Sequence, residues 1–173
     1  MRKNILLALL AILLPLAPAA RAEKPLSQDG PAPHARAGRS VARHDRSLTV
    51  TIDVDLTGVV IDGHPAVLGA YVASITFDPK AVELVDVKGA DAGAFTTTPA
   101  ATDKAKANGS GLVKLAAAQT NSEAPAGVVA VARLSFVEKA AGGADSIHIH
   151  IDSAATTHRA ANGSTAIVPL ATE

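Results

Sequence analysis

One stretch constrains the fold of this chain more than any other: Tyr71–Val87, YVASITFDPKAVELVDV. Tyr71, Ala73, Ile75 and Phe77 alternate with Val72, Ser74 and Thr76, the period of two expected of a β-strand with one buried face. Asp78-Pro79 stops the run, because proline has no N–H to give a ladder and Asp-Pro favours a turn. A second apolar run, Ala81 to Val87, follows at once. Both are too short and too rich in Val, Ile and aromatic residues to make good helices.

The rest of the chain repeats this pattern. Leu48, Val50, Ile52, Val54 and Leu56 alternate with Thr49, Thr51, Asp53 and Asp55, which predicts a strand with one apolar face. Gly58 to Gly69 is a turn-rich connection, with Asp62-Gly63 as its strongest turn signal. Gly89 to Gly111 is irregular, with Phe95 as its one large anchor. Gly111 to Gln119 fits a strand with Val113, Leu115 and Ala117 on one side, and its alanines fit a helical turn equally well. Asn121 to Gly127 reads as a loop. Val128 to Val137 predicts a strand with Ala130, Ala132, Leu134 and Phe136 on one face and Val131, Arg133, Ser135 and Val137 on the other. After a turn at Ala140–Gly143 come a strand at Ser146–Asp152, a hairpin-type turn at Asn162-Gly163 and a closing strand at Thr165–Leu170. Short, regularly spaced strands without an amphipathic helix predict an all-β fold, an antiparallel β-sandwich. No internal repeat points to a solenoid or propeller.

Ahead of these strands lies an export signal. Arg2 and Lys3 precede an apolar run from Ile5 to Leu16, and Ala20-Arg21-Ala22 is a small-residue cleavage site. Residues 1–22 therefore read as a secretory signal peptide, and the mature chain is expected to start at Glu23 in the periplasm or outside the cell. The apolar run is shorter than the ~20 residues of a spanning helix, so no membrane span is expected after cleavage. Residues 23–46 carry three prolines and two glycines among small and basic residues. They read as a flexible linker, and the folded domain is expected to occupy 47–173.

The chain has no cysteine, which excludes disulfides, thiolate metal sites, lipobox lipidation and cysteine catalysis together. Its formal charge is zero, but from Ser47 onward eight basic face thirteen acidic side chains, a net near −5. A nucleic-acid partner wants a basic patch, so that class is disfavoured.

Three constellations invite chemistry. His148 and His150 form an H-x-H with both imidazoles on one strand face, with His158 and Asp152 near in sequence, a spacing that suits zinc or copper. Alternation alone also explains it, with Ile147, Ile149 and Ile151 filling the core, and we assign no metal and no cofactor. Asp53 and Asp55 share a face, with Asp62 beyond; such oxygens suit calcium, but acidic side chains more often keep a strand edge soluble. Gly109-Ser110-Gly111 lacks the spacing of a nucleophile elbow, and the scattered acids give no glycosidase pair. The chain does not read as an enzyme.

Several motifs occur in a telling order. Phe77-Asp78-Pro79 is followed by x-x-Val-x-Leu and a glycine; Gly127 leads a strand ending in Leu134-Ser135-Phe136; Ala141-Gly142-Gly143 precedes Ser146-Ile147-x-Ile149; Asn162-Gly163 precedes Ile167. Together they resemble the cohesin family and the carbohydrate-binding sandwich superfamily around it. The resemblance implies a jelly roll of about nine strands that binds a protein, typically a dockerin, through one flat sheet face. It places the partner on Val72, Ser74, Thr76, Arg133 and Ser135, where small side chains allow close approach and Arg133 supplies a multi-donor anchor. The implied partner is dockerin-like or another envelope protein. The alternative within the superfamily is a carbohydrate-binding module acting in polysaccharide binding or degradation. That role needs a row of exposed rings to stack on sugars; this chain has no Trp, and Tyr71, Phe77, Phe95 and Phe136 are its only rings of that kind.

Overall fold

Leu48, Val50, Ile52 and Val54 are fully buried while the residues between them stay in partial contact with solvent, so the first predicted strand forms as its alternation requires. The computed structural model describes residues 34–61, 63–119, 126–159 and 165–172. Among them, eleven strands and two short helical segments follow in order. Strands β1 (His34–His44), β2 (Ser47–Asp55), β3 (Val60–Ile61), β4 (His64–Pro65), β5 (Leu68–Thr76), β6 (Val82–Lys88) and β7 (Ala100–Ala101) come first. Helix α1 (Lys104–Ser110), β8 (Leu112–Ala118), β9 (Val128–Glu138), a 3₁₀ turn (Gly143–Ser146), β10 (His148–Arg159) and β11 (Thr165–Thr172) complete the chain. The signal peptide, residues 23–33 of the linker and the Asn162-Gly163 turn lie outside the described residues, as does most of the Asn121–Gly127 loop.

The strands pair as β6-β9-β2-β1 and as β11-β10-β5-β8-β7, the two sets joined by a short parallel pairing of β1 with β11 at His34–Ala171 and Ala35–Thr172. All other pairings are antiparallel. The inner faces share one core that runs from Leu48 and Phe136 on one side to Ile75, Leu115 and Ile151 on the other. The result is the expected antiparallel sandwich of jelly-roll type. The stretch from Gly111 onward is a strand, since Leu112–Ala118 pairs along β5 from Thr76 to Ala70.

The linker reading fails from His34 onward. Residues 34–44 form β1, in register with β2 from Arg36–Asp55 to His44–Ser47. Alternation hides the strand, because its inward-phase positions are Ala35, Ala37, Arg39, Val41 and Arg43, the last four opposite Val54, Ile52, Val50 and Leu48. The two arginines sit where the sandwich opens and reach polar groups there. Arg39 donates to the Ile147 carbonyl, and Arg43 Nη2 donates to Glu138 Oε1 at 2.7 Å. Inward-pointing charge of this kind also keeps a free edge from pairing with another chain.

A second difference concerns β9. Register slips between Ile52 and Asp53 of β2, which pair with Ala132 and Ala130, so Val131 is an extra residue. This β-bulge reverses the phase: Val129 and Val131 point inward with Ala132, Leu134 and Phe136, while Ala130 turns toward solvent. A bulge takes a residue out of the ladder. Here the Val131 carbonyl accepts a hydrogen bond from the Tyr71 hydroxyl, which crosses the core from β5 at 3.1 Å. Burial raises the Tyr71 phenol above its ordinary range, which keeps the donor protonated. Tyr71→Phe should cost about 1–2 kcal/mol, the price of a buried carbonyl left without a partner. Urea denaturation of the variant tests this, and an unchanged midpoint would mean another donor serves Val131.

The irregular stretch Gly89–Gly111 contains α1, which the sequence reading omitted. Asp103 caps it, accepting from the N–H groups of Ala105 and Lys106, and Ala107 is its buried contact. The helix covers the outer edge of β6: Asn108 Oδ1 accepts from the Leu84 N–H, Nδ2 donates to the Leu84 carbonyl, and Lys104 Nζ donates to the Val85 carbonyl. One asparagine thus satisfies both free backbone groups of an edge residue, as buried peptide groups require.

Candidate partner-binding face

Val72, Ser74 and Thr76 point outward from β5, and Arg133 and Ser135 point outward from β9. They do not form one patch. β5 pairs with β8 and β10, whereas β9 pairs with β2 and β6, so the two groups lie on opposite outer faces of the sandwich. Alternation correctly assigns each side chain to the outside of its own sheet but carries no information about which strands share a sheet.

On the β9 side, Arg133 is engaged. Its guanidinium pairs with the Asp91 carboxylate from the segment after β6. Around it the cross-strand rows are Ser40–Thr51–Arg133–Lys88 and Ala42–Thr49–Ser135–Asp86, a surface of hydroxyls, small side chains and charges.

The β5 side is built differently. Its outward rows are His148–Thr76–Leu112, His150–Ser74–Lys114, Ser153–Val72–Ala116 and Ala155–Ala70–Ala118. Ala70, Val72, Ala116 and Ala155 are half-buried and make a flat apolar floor at one end. At the other end a bulge between Ile151 and Ser153 projects Asp152 as an extra residue. Ser74 Oγ donates to Asp152 Oδ2 at 2.6 Å, while Lys114 Nζ and His150 Nε2 each stand 4.0 Å from an Asp152 oxygen. Lys114 and the alanines are not readable as site residues, and Asp152 only as a neighbour of the H-x-H pair, because only the β5–β8 and β5–β10 registers bring them beside Ser74.

The other candidates separate. Among the described residues, no three His, Cys, Asp or Glu side chains are grouped to hold a metal; the His158 side chain and Asp62 lie outside the described residues. Asp55 Oδ1 accepts from the Thr57 N–H at 2.8 Å, and its bonds with Thr57 hold the carboxyl below its ordinary range. Ser110 Oγ donates back to the Lys106 carbonyl at 2.9 Å within α1, a helix-end hydroxyl and no nucleophile elbow. Tyr71, Phe77, Phe95 and Phe136 are all buried, paired edge to face as Tyr71–Phe95 and Phe77–Phe136. None is placed to stack on a sugar. Among the described residues, no helix is long and apolar enough to cross a membrane.

No family model matches the sequence, and no curated protein does. The fold, by contrast, has solved counterparts. The seventh type I cohesin of ScaB from Pseudobacteroides cellulosolvens superposes with a TM-score of 0.50 at 12% identity, covering 81% of this chain and 85% of that one. The sixth cohesin of scaffoldin B from Acetivibrio cellulolyticus, solved with a mutant Cel5 dockerin, gives 0.51 at 10% identity, covering 81% of this chain and 92% of that one. The likeness is one of fold. This chain has the fold of those two modules, an antiparallel jelly-roll sandwich.

Proposed function

We propose that this chain is an exported, non-catalytic recognition module that receives a protein partner on the outer face of β10, β5 and β8. One observation carries the reading: that face joins a flat floor of half-buried alanines and Val72 to a polar cluster of Ser74, Lys114, His150 and Asp152. Protein interfaces have this anatomy, an apolar centre with a polar, hydrogen-bonding rim. The β9 face exposes Val128 and Val137, but its best anchor, Arg133, is already paired. The Acetivibrio cellulolyticus cohesin in complex with a dockerin supports a partner of dockerin or similar envelope type. The export signal at residues 1–22 supports a periplasmic or extracellular setting. Burial of all four rings weighs against the polysaccharide alternative, since stacking supplies most of the contact area in such sites.

Capture from envelope extract, run beside a polysaccharide retention assay, tests the class of partner. Ser74→Arg should weaken capture at least tenfold, ~1.4 kcal/mol, while Arg133→Glu leaves it unchanged, both variants melting near the parent. Loss of capture in Arg133→Glu with full capture in Ser74→Arg would move the site to the β9 face. Retention on polysaccharide without protein capture would replace the reading by the carbohydrate one.

A further inference from the structure

We propose that β1 is an exchangeable strand: two copies of this chain dimerise by trading it, each β1 taking its place along β2 of the other copy. Among the described residues β1 is the first element, and one two-residue turn, Asp45-Arg46, joins it to β2. Its hold on the domain is one-sided. A continuous ladder from Arg36–Asp55 to His44–Ser47 binds it to β2, the short pairing at His34 and Ala35 binds it to β11, and no ladder joins it to β10. From Arg39 to His44 every residue is exposed, and Ala35 is its one buried side chain among those described. The ladder therefore holds β1 far more than core packing does. Its departure leaves β6-β9-β2 and β11-β10-β5-β8-β7 paired as they stand.

The turn supplies the reason to exchange. Two-residue hairpin turns use positive φ, which glycine and asparagine adopt most readily. Asp45 has a φ of 54°, and among the described residues it is the only one besides glycines with a positive φ. Such a residue is strained unless its surroundings hold it there. Arg46 does not share the bend, because it is anchored to the end of β9: its carbonyl accepts from the Glu138 N–H at 2.7 Å and its Nε donates to the Glu138 carbonyl at 3.1 Å. The hinge is thus Asp45. Extending it to ordinary strand backbone removes the strain and runs β1 and β2 into one line, so that β1 no longer folds back on its own β2. Short hinges under strain invite this exchange.

The vacated place fits a second copy better than any other strand. An exchanged β1 meets the same Val54, Ile52, Val50 and Leu48 of β2 that it meets in the closed chain. Its arginines find the same acceptors, the Ile147 carbonyl for Arg39 and the Glu138 carboxylate for Arg43. The dimer interface is therefore the β1–β2 ladder already present, used twice about a twofold axis. Pairing of two β1 strands along their outer edges is the poorer solution, since it sets Arg36, Arg39 and Arg43 against their own copies. The exchange leaves the outer face of β10, β5 and β8 untouched, so the dimer carries two such faces and holds a repeated partner with bivalent avidity. Only that last step rests on the partner-face reading above; the exchange does not.

The full chain has no cysteine, so an Ala42→Cys, Thr49→Cys pair reports which copy each strand occupies. The two residues are opposite in the β1–β2 register, and opposite residues of an antiparallel pair stand about 4.5–5.5 Å apart, within reach of a disulfide. Parent and cysteine variant are refolded from urea at chain concentrations rising to about 1 mM, the effective concentration of a short tether, and sized by chromatography with light scattering. A dimer should grow with concentration. After oxidation the dimer of the cysteine variant should stay linked on a denaturing gel without reductant, because each bridge joins two copies, while its monomer runs as a monomer. Asp45→Gly eases the bend and should lower the dimerisation constant at least tenfold. Asp45→Val, β-branched at a positive φ, should raise it at least tenfold. A chain that stays monomeric at every concentration, or a dimer that separates on the gel, overturns the proposal. So does any ranking of the hinge variants other than valine above parent above glycine. Dimerisation is read with no partner present, so failure of the partner-face reading would remove the bivalency and leave the exchange standing.

Discussion

Phe136→Ala should destabilise the domain by about 3–5 kcal/mol, the range for truncating a buried aromatic ring, and lower its melting temperature by roughly 10 °C or more. The ring is essentially inaccessible to solvent. In the sheet it stands opposite Leu48 of β2 on one side and Leu84 of β6 on the other. Across the sandwich it meets Phe77 edge to face, centroids 5.3 Å apart, a geometry worth about 0.5–1.5 kcal/mol beyond the area buried. Phe136 therefore ties three strands of one sheet to the end of β5 in the other. Leu48 is held by ladders on both sides and Leu84 by the β9 ladder on one side and Asn108 on the other, so neither collapses readily into the space. With no disulfide in the chain, a loss of this size is a large share of a stability of about 5–15 kcal/mol. Differential scanning calorimetry measures it directly. Melting close to the parent would place the ring at the surface and restore the stacking-platform reading.

How far the sequence discloses this fold depends on where large apolar residues fall. β2 and β5 are legible because every inward position on them is Leu, Val, Ile, Ala or Tyr. β1 is not, since alanine and arginine take its inward phase and the arginines find partners only once β10 and Glu138 are folded beside them. Ala130 is misassigned for a related reason. A bulge adds one residue without changing composition, and its signature, the Tyr71 hydroxyl on the Val131 carbonyl, joins residues sixty positions apart. The candidate face shows the same limit. Val72, Ser74 and Thr76 are readable as outward from alternation alone, and His148 and His150 likewise. That these belong beside Lys114 and Ala116, and Arg133 does not, is decided by which strands pair. The family resemblance reached the sandwich but attached two strands to the wrong common surface.

Gly111→Ala should cost about 2–6 kcal/mol, although the substitution adds a single methyl group. Two independent penalties meet at this residue. Its φ of 69° and ψ of 23° lie in the left-handed region, where a side chain is strained by roughly 1–3 kcal/mol. A Cβ built there would also stand 2.4 Å from the Phe77 carbonyl oxygen and 3.1 Å from Pro79 Cδ, and overpacking of this kind adds about 1–3 kcal/mol. Neither neighbour can yield easily. The Phe77 N–H donates to the Gly111 carbonyl at 2.9 Å, and the Gly111 N–H donates to the Ala107 carbonyl at 2.8 Å. Gly111 thus closes α1, opens β8 and pins the end of β5 at the Asp78-Pro79 stop. Gly109, two residues earlier, is the control. It lies inside α1 without a positive φ, and a Cβ there meets nothing within 4 Å. Gly109→Ala should accordingly be neutral or stabilise by up to about 1 kcal/mol, since alanine loses less backbone freedom than glycine in a helix. Opposite signs for the two alanines in urea denaturation would place the helix end at Gly111; a loss at Gly109 as large as that at Gly111 would mean that α1 does not end there.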